Sequence, residues 1–485
     1  MAIKRYIATG DTSITDAYKS DLTTQATGSN MGNADSLQIF SLFGHTSTGS
    51  ISRSRILVNY PIDTIISDRA AGSIPKSGSM NFVVRLYNVQ HDETLPKDFT
   101  IIVAPLTTKF DEGRGVDLDG FKDRGIGNRG YGATWAYANS GSAGPNAWTA
   151  AGGDYAALPR YEQTFTTGLE DLEIDITGLV EQWIDGTKSK YGIGLFLTSS
   201  QEVDSGSISY YTKKFSARSS EFWFNRPVIE ARWDSSVKDN RGNFHVSSAA
   251  ESGADNMNTV YMYNYVRGQL KNLPDVSTGE IFVTLHTSRS AGEELNPTPT
   301  FLGNAVTGGF VSTGIYSASF ALNTTASVIY DRWFSGSVAY HTGSLTIENE
   351  PAQSVALLPS FLSKITNLKG RYSPKEANVV FRVYTRHRNW SPSIYTKLAT
   401  RTERNIVEDA YYSIVRTADN HTVIGFGTGS LNHTRLSYDA SGSYFNLDMS
   451  MLQPDYMYTV RFAYYLDGNY VEQPDEFKFR VEEAS

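Results

Sequence analysis

The chain has 485 residues, a formal net charge of −8 and no cysteine. That length exceeds what one hydrophobic core supports, so several domains are expected; the negative charge removes the global field that draws in a phosphate backbone; and the missing thiols exclude disulfides, thiolate metal ligands and Cys nucleophiles. Strand-favouring aromatics are abundant (29 Tyr, 24 Phe, 7 Trp), while no sustained Ala, Leu, Glu and Lys run supports long helices, so the expected class is all-β.

The opening "MAIKRYIATGDTSITDAYKS" has no apolar h-region, and no uncharged apolar run reaches about eighteen residues. Neither a secretory signal nor membrane insertion is expected. From Ser54 onward, short β-branched segments recur between turn signals: "RILVNYPI", "MNFVVRLYNV", "DFTIIVAPL", "YGIGLFLTS" and "RPVIEARW". One stretch among them, Asp175 to Leu197, reads as a helix between strands. Thr177 is its expected N-cap, Leu179, Val180, Trp183 and Ile184 share one face, and Gly186 stops it. That face is expected to plug an open end of a sandwich, with Glu181 and Asp185 on the solvent side and without an acid or base partner.

"DSSVKDNRGN", Asp234 to Asn243, is polar and reads as a linker. A second unit follows with "TVYMYNYVRGQL", "EIFVTLHTS", "GGFVSTGIYSASFAL" and "SVIYDRWFSGSVAYHTGSLTI", and "ENEPAQS", Glu348 to Ser354, is the next break. In the last unit Asp467 and Gly468 stand between two aromatic-rich alternating runs, a strong hairpin signal. The expected domains are 1–236, 237–350 and 351–485, the last two of a size that suits immunoglobulin-like sandwiches.

Candidate sites are few. Trp135 and Trp148 lie in a long Gly, Ala, Asn and Ser-rich loop, and read as its anchors or, with exposed faces, as platforms for a sugar ring. Asp111, Glu112, Asp117 and Asp119 read as a solvated acidic turn or as oxygen ligands for a structural calcium, although their spacing is not that of an EF-hand. Arg386, Arg388 and Trp390 in "YTRHRNW" read as a strand end or as a cation and aromatic patch for a glycan or partner. The chain has no G-x-S-x-G, H-E-x-x-H, Walker loop or G-x-G-x-x-G in the required context, and its nearest two histidines, His421 and His433, are too far apart for a local zinc site. No enzyme activity, no cofactor beyond that calcium and no nucleic-acid partner are expected.

"SNMGNADSLQIF", "SRILVNYPID", "MNFVVRLYNV", "FDEGRG", "GATWAYANSGSAGPNAWTAAGGDY", the helical stretch and "KFSARSSEFWFNRPVIEARW" follow one another in an order that resembles the DNRLRE-type β-sandwich. That resemblance implies a jelly roll related in shape to carbohydrate-binding modules; Phe110 stands where the family usually shows Trp. The jelly roll followed by two sandwiches, with "TGIYSASFAL", "YDRWFSGS" and "YYLDGNYVEQPDEFKFRVEE", resembles virion structural proteins of large marine tailed bacteriophages. The resemblance implies a non-enzymatic virion component that folds in the host cytoplasm: a capsid decoration, a head or neck fibre, or a tail appendage. Its implied partners are copies of itself and other virion proteins. The alternative is an adhesion protein that recognises host surface glycans through the jelly roll, and a glycan-degrading tail enzyme is a third reading.

Overall fold

A computed structural model of the chain describes residues 2–483 except 20, 22, 44–50, 90–95, 118–131, 140–144, 203–208, 291, 348–359, 391–392 and 396–403. The predicted break at Glu348–Ser354 and the candidate ligand Asp119 therefore lie outside the described residues. Strands hold 45% of the chain and helices 7%, so the protein is all-β. Residues 2–234 and 235–485 form two compact units.

In the N-terminal unit the strands are β1 (Ile3–Ile7), β2 (Gly10–Thr15), β3 (Ser36–Phe43), β4 (Ile51–Asn59), β5 (Asn81–Leu86), β6 (Phe99–Pro105), the short pair β7 (Tyr137–Asn139) and β8 (Asn146–Ala147), β9 (Tyr161–Phe165), β10 (Leu172–Asp175), β11 (Ile193–Leu197), β12 (Ser209–Ser216) and β13 (Val228–Arg232). They build a four-stranded sheet, β1-β13-β5-β10, and a larger one, β12-β3-β4-β11-β6-β9, with β2 added along β4. Between the sheets Leu37, Ile39, Ile56, Val58, Phe82, Val84, Ile101, Val103, Leu195 and Phe215 form one core. The alternate residues of the larger sheet are apolar as well. Leu57 packs with Ile14, Leu106, Phe110, Trp135 and Trp148, and Ile102 packs with Ala104 and Phe196, all on the opposite face. Burial on both faces explains why "RILV", "TIIVAP" and "IGLFL" are continuous apolar runs and not alternating ones.

The helix expected after Asp175 is α2 (Thr177–Ile184), and a second one, α1 (Ile62–Ala70), stands beside it. Leu179, Val180 and Trp183 are fully buried, Ile184 is half-buried against them, and Ile62 and Ile65 of α1 join the same core. Two expectations about α2 are corrected. Its N-cap position is held by Ile176, and the Asp175 carboxylate receives both the Thr177 N–H (2.8 Å) and the Thr177 hydroxyl (2.5 Å), leaving the Thr177 oxygen to accept from the Phe82 N–H of β5 at 2.8 Å. Glu181 has a partner: Arg69 of α1 donates to both its oxygens at 2.6 and 2.7 Å. Gly186, at φ +81°, ends the helix in the left-handed region that favours glycine. The helical spacing of Ile62, Ile65, Ile66 and Arg69 after Pro61 is the available signal for α1; a strand reading of "RILVNYPI", Arg55–Ile62, hides its first turn.

The C-terminal unit begins with β14 (Asn258–Tyr263), β15 (Tyr265–Val266), β16 (Gln269–Leu270), β17 (Ile281–His286), β18 (Glu294–Leu295), β19 (Val306–Ser312), β20 (Ile315–Phe320), β21 (Val328–Ser335) and β22 (Val338–Thr346). The main sheet runs β14-β20-β19-β17-β21-β22 around a core centred on Trp333 and Tyr316. Next come β23 (Phe361–Ile365), β24 (Arg371–Tyr372), β25 (Val379–His387), β26 (Ala410–Arg416), β27 (His421–Ile424), β28 (Ser437–Asp439), β29 (Gly442–Leu447), β30 (Met457–Leu466), β31 (Asn469–Glu472) and β32 (Phe477–Val481). They form sheets β23-β25-β29-β28 and β24-β32-β30-β26-β27, which face each other through aromatic contacts such as Phe381 with Phe479 (5.8 Å) and Tyr412 with Phe445 (4.3 Å). Asp467 and Gly468, both at positive φ, form the turn of the β30–β31 hairpin.

Asp234–Asn243 reads as a polar linker, but Asp239 and Asn240 within it are only 3% and 5% exposed. The Val237 N–H donates to the Ser437 hydroxyl and the Asp239 N–H to the Tyr438 carbonyl, which docks the segment on β28. Asn240 then accepts from the Thr259 N–H of β14, and Arg241 donates to both oxygens of Asp331 in β21 at 2.6 and 2.9 Å. The same guanidinium reaches the Tyr261 and Ser344 carbonyls, so it bridges the edge strands β14 and β22. A Cβ at Gly343 would overlap it. Burial alone would raise the Asp331 carboxyl; the Arg241 charge and hydrogen bond, with the Trp333 indole N–H, hold it below the usual range. The segment is polar because its partners are polar.

Two mutations test these joints. Trp183→Ala is expected to destabilise the N-terminal unit by about 3–5 kcal/mol, read by denaturant unfolding; an unchanged midpoint would contradict the plug. Arg241→Met strands the Asp331 charge and is expected to cost about 3–5 kcal/mol in the C-terminal unit. Adding Asp331→Asn should recover part of that loss, whereas additive losses would contradict the pairing.

Candidate functional site

On the outer face of the larger sheet of the N-terminal unit, Leu106, Phe110, Ala133, Trp135 and Trp148 pack against Ile14 of β2 and Leu57 of β4, and Tyr155 packs against Phe196 of β11. Phe110, Trp135 and Trp148 are all buried there, the two indoles each 5% exposed. The Trp148 indole N–H donates to the Thr134 carbonyl at 2.8 Å, and Arg53 and Arg55 of β4 stand over the Trp135 ring at 5.3 and 5.2 Å. Arg55 also donates to both oxygens of Glu202 and to the Gly152 carbonyl, and it faces the Tyr155 and Phe196 rings. The Asp154 carboxylate collects the Thr149 and Ala150 N–H groups and the Thr108 hydroxyl, fastening a turn. Neither tryptophan offers a face to a sugar ring. Their place as glycan contacts is corrected on that ground: they cover apolar strand residues that would otherwise meet water.

Asn30 is the second station of the site, and residue spacing gave no sign of it. Its buried amide donates to the Glu112 and Ala133 carbonyls at 2.8 Å each and to the Thr12 hydroxyl at 3.3 Å, and it accepts from the Gly32 and Gly115 N–H groups. One side chain thus joins "SNMGN" to "FDEGRG" and to the start of "GATWAY". Gly113 and Gly132 touch this amide at positive φ, where a Cβ would overlap it, so the glycines exist to admit Asn30.

Beside it, Glu112 accepts from Arg218 through both oxygens (2.7 and 2.8 Å) and from the Asp11 N–H, while Asp11 accepts from the Arg218 N–H at 2.6 Å. Burial pushes the Asp11 carboxyl up to about 7; the Glu112 charge adds to this, and the Arg218 N–H and the Arg218 and Arg226 charges oppose it. A carboxyl titrating near neutrality beside a second carboxylate is the format of an acid–base pair. Here, however, Asp11 is 1% exposed and both groups are bound by donors of the chain itself, so the arrangement works as a joint.

Glu112 does not fit the expected calcium site, because a guanidinium already fills the cation position at both of its oxygens. Asp111 and Asp117 are half-buried, and among the described residues no group of three His, Asp or Glu side chains could hold a metal ion. In the C-terminal unit the predicted patch divides. Arg386 stacks on Trp390 at 5.3 Å and donates to its carbonyl, which closes the turn after β25; Arg388 turns to the Ser360 hydroxyl and the Phe361 carbonyl. Arg55, Arg218 and Asn30 were missed as site residues because their partners lie far away in the chain.

Asp11 carries a pH dependence. Its folded-state proton is held more tightly than in the unfolded chain, where the ordinary value is 3.8, so the stabilisation is full below that pH and is lost as pH rises through about 7. Asp11→Asn keeps an acceptor for the Arg218 N–H and cannot ionise. The Tm of the variant minus that of the wild type is therefore expected to grow between about pH 5 and pH 8; a constant difference would contradict the buried carboxyl.

No protein-family model matches the chain, and no curated protein matches it. Among solved structures, the crystal structure of Salmonella alpha-2-macroglobulin reacted with methylamine aligns over 94% of this chain at 8% identity and a TM-score of 0.17. The alignment spans 26% of that longer chain, and a score this low carries no argument about fold or function.

Proposed function

We propose that the chain is a non-enzymatic structural component of a bacteriophage virion, a capsid decoration, head or neck fibre, or tail appendage, that mediates particle assembly or surface attachment. In this reading the N-terminal unit is a jelly roll and the C-terminal unit is two immunoglobulin-like sandwiches, and the partners are copies of the chain and other virion proteins. The bacteriophage context comes from the sequence resemblance. One observation favours a mechanical role over a catalytic one: four arginine–carboxylate pairs are engaged as braces. Arg55 with Glu202 and Arg241 with Asp331 tie a turn and a connecting segment to strands, Arg69 with Glu181 ties α1 to α2, and Arg218 with Glu112 ties two loops, each through two hydrogen bonds. Such joints resist displacement, which suits a part that transmits load or presents a surface.

The test is the composition of gradient-purified particles. The chain should be found by mass spectrometry as a constant, multi-copy constituent, with cryo-electron density that accommodates its two units. Recovery from lysate alone, with none in particles, would overturn the proposal.

A further inference from the structure

Lys213 sits in a setting that a structural lysine does not require. It lies on β12 with 0% of its surface exposed, among the equally buried rings of Phe165 and Phe215, whose centroids are 5.1 and 5.4 Å from Nζ. Nζ donates to the Asn88 side-chain oxygen at 2.6 Å and to the Gly168 carbonyl at 2.7 Å. Asn88 follows β5 and pairs with Phe215 in an isolated antiparallel bridge, so the backbone holds the amide and the amine together from two different sheets. Asp171 and Glu170 stand near enough for their charges to act on the lysine. Asp171 accepts the Asn88 N–H at 2.8 Å, and the Glu170 carboxylate has one buried oxygen with no hydrogen-bond partner among the described residues.

We propose that Lys213 and Asn88 join in an intramolecular isopeptide bond, formed by the folded chain itself. The neutral Nζ attacks Cγ of Asn88, the new Nζ–Cγ bond forms, the Cγ–Nδ2 bond breaks, and Nδ2 leaves as ammonia. The attacking nitrogen gives up a proton and the leaving nitrogen takes one up, so an ammonium and a carboxamide become a secondary amide and an ammonium ion. No oxidant, reductant or other reactant is consumed. Three features favour the step. Burial pulls the Lys213 ammonium down to about 8, against the opposing charges of Asp171 and Glu170, so part of the amine is neutral at ordinary pH. Amine and amide are held in contact, which replaces a bimolecular encounter. The adjacent carboxylates can carry the proton from the attacking to the leaving nitrogen.

The bond would close a loop across a sequence separation of 125 residues in a chain that has no disulfide to do so. The bond does not depend on which assembly contains the chain.

Intact-mass spectrometry of the purified full-length protein decides it. The expected mass is about 17 Da below that of the sequence, the mass of one ammonia, and digestion should give a branched peptide joining the segments that contain Asn88 and Lys213. Lys213→Met and Asn88→Ala should each restore the full mass and unfold at lower temperature. Asn88→Asp should instead lose water, about 18 Da, and Asp171→Asn with Glu170→Gln should slow the loss. A folded wild-type chain of full mass, a deficit that persists in Lys213→Met, or a deficit mapping to other residues would overturn the bond. An unchanged rate in the double carboxylate variant would overturn the relay.

Discussion

The larger sheet of the N-terminal unit has apolar residues on both faces, and much of that unit follows from the need to cover each. One face meets the four-stranded sheet and the two short helices. The other, among the described residues, is covered by Phe110, Trp135, Trp148 and the short β7–β8 pair, whose Ala138 joins the same cluster. Irregular backbone over a sheet leaves many polar groups needing partners. The side chains of Asn30, Asp154 and Arg55 supply them, each serving backbone groups or rings at several points. The tryptophans that looked like ligand contacts thus serve as cover for the outer face of the sheet.

The same economy of charged and amide groups recurs in the C-terminal unit. Arg241 reaches between two edge strands to a fully buried Asp331, and the few residues before it dock on β28. A buried ion pair carries a large desolvation cost and is weak evidence for stability by itself. Its value here is positional: it ties the connecting segment to β21 and brings the same guanidinium to the Tyr261 and Ser344 carbonyls of the edge strands β14 and β22. Charges that hold parts in register in this way are poor candidates for catalysis, because movement of either partner would leave the other buried and unpaired.

Lys213 is the exception to this pattern. Arg55, Arg218 and Arg241 meet carboxylates through a planar fork, a geometry that a guanidinium satisfies and that holds its charge. Lys213 instead donates to a neutral amide and a carbonyl inside an aromatic pocket, and burial outweighs the charges of Asp171 and Glu170 and favours its neutral form. In a protein without thiols, an amide cross-link would do for the long-range connection what a disulfide does elsewhere.

Composition and strand-length patterning alone made the all-β class legible, because they depend on local preferences. The hairpin at Asp467–Gly468 and the apolar face of Leu179, Val180 and Trp183 were legible for the same reason: turn chemistry and helical spacing act over a few residues. The second helix was legible in principle from Ile62, Ile65 and Ile66, but its start directly after a strand masked its period. The partners of polar residues were beyond reach. Glu112 and Arg218 are 106 residues apart, Arg241 and Asp331 are 90 apart, and Asn88 and Lys213 are 125 apart. Tertiary structure alone brings such groups together, and their meaning as ligands, braces or reactants depends on the partner each one meets.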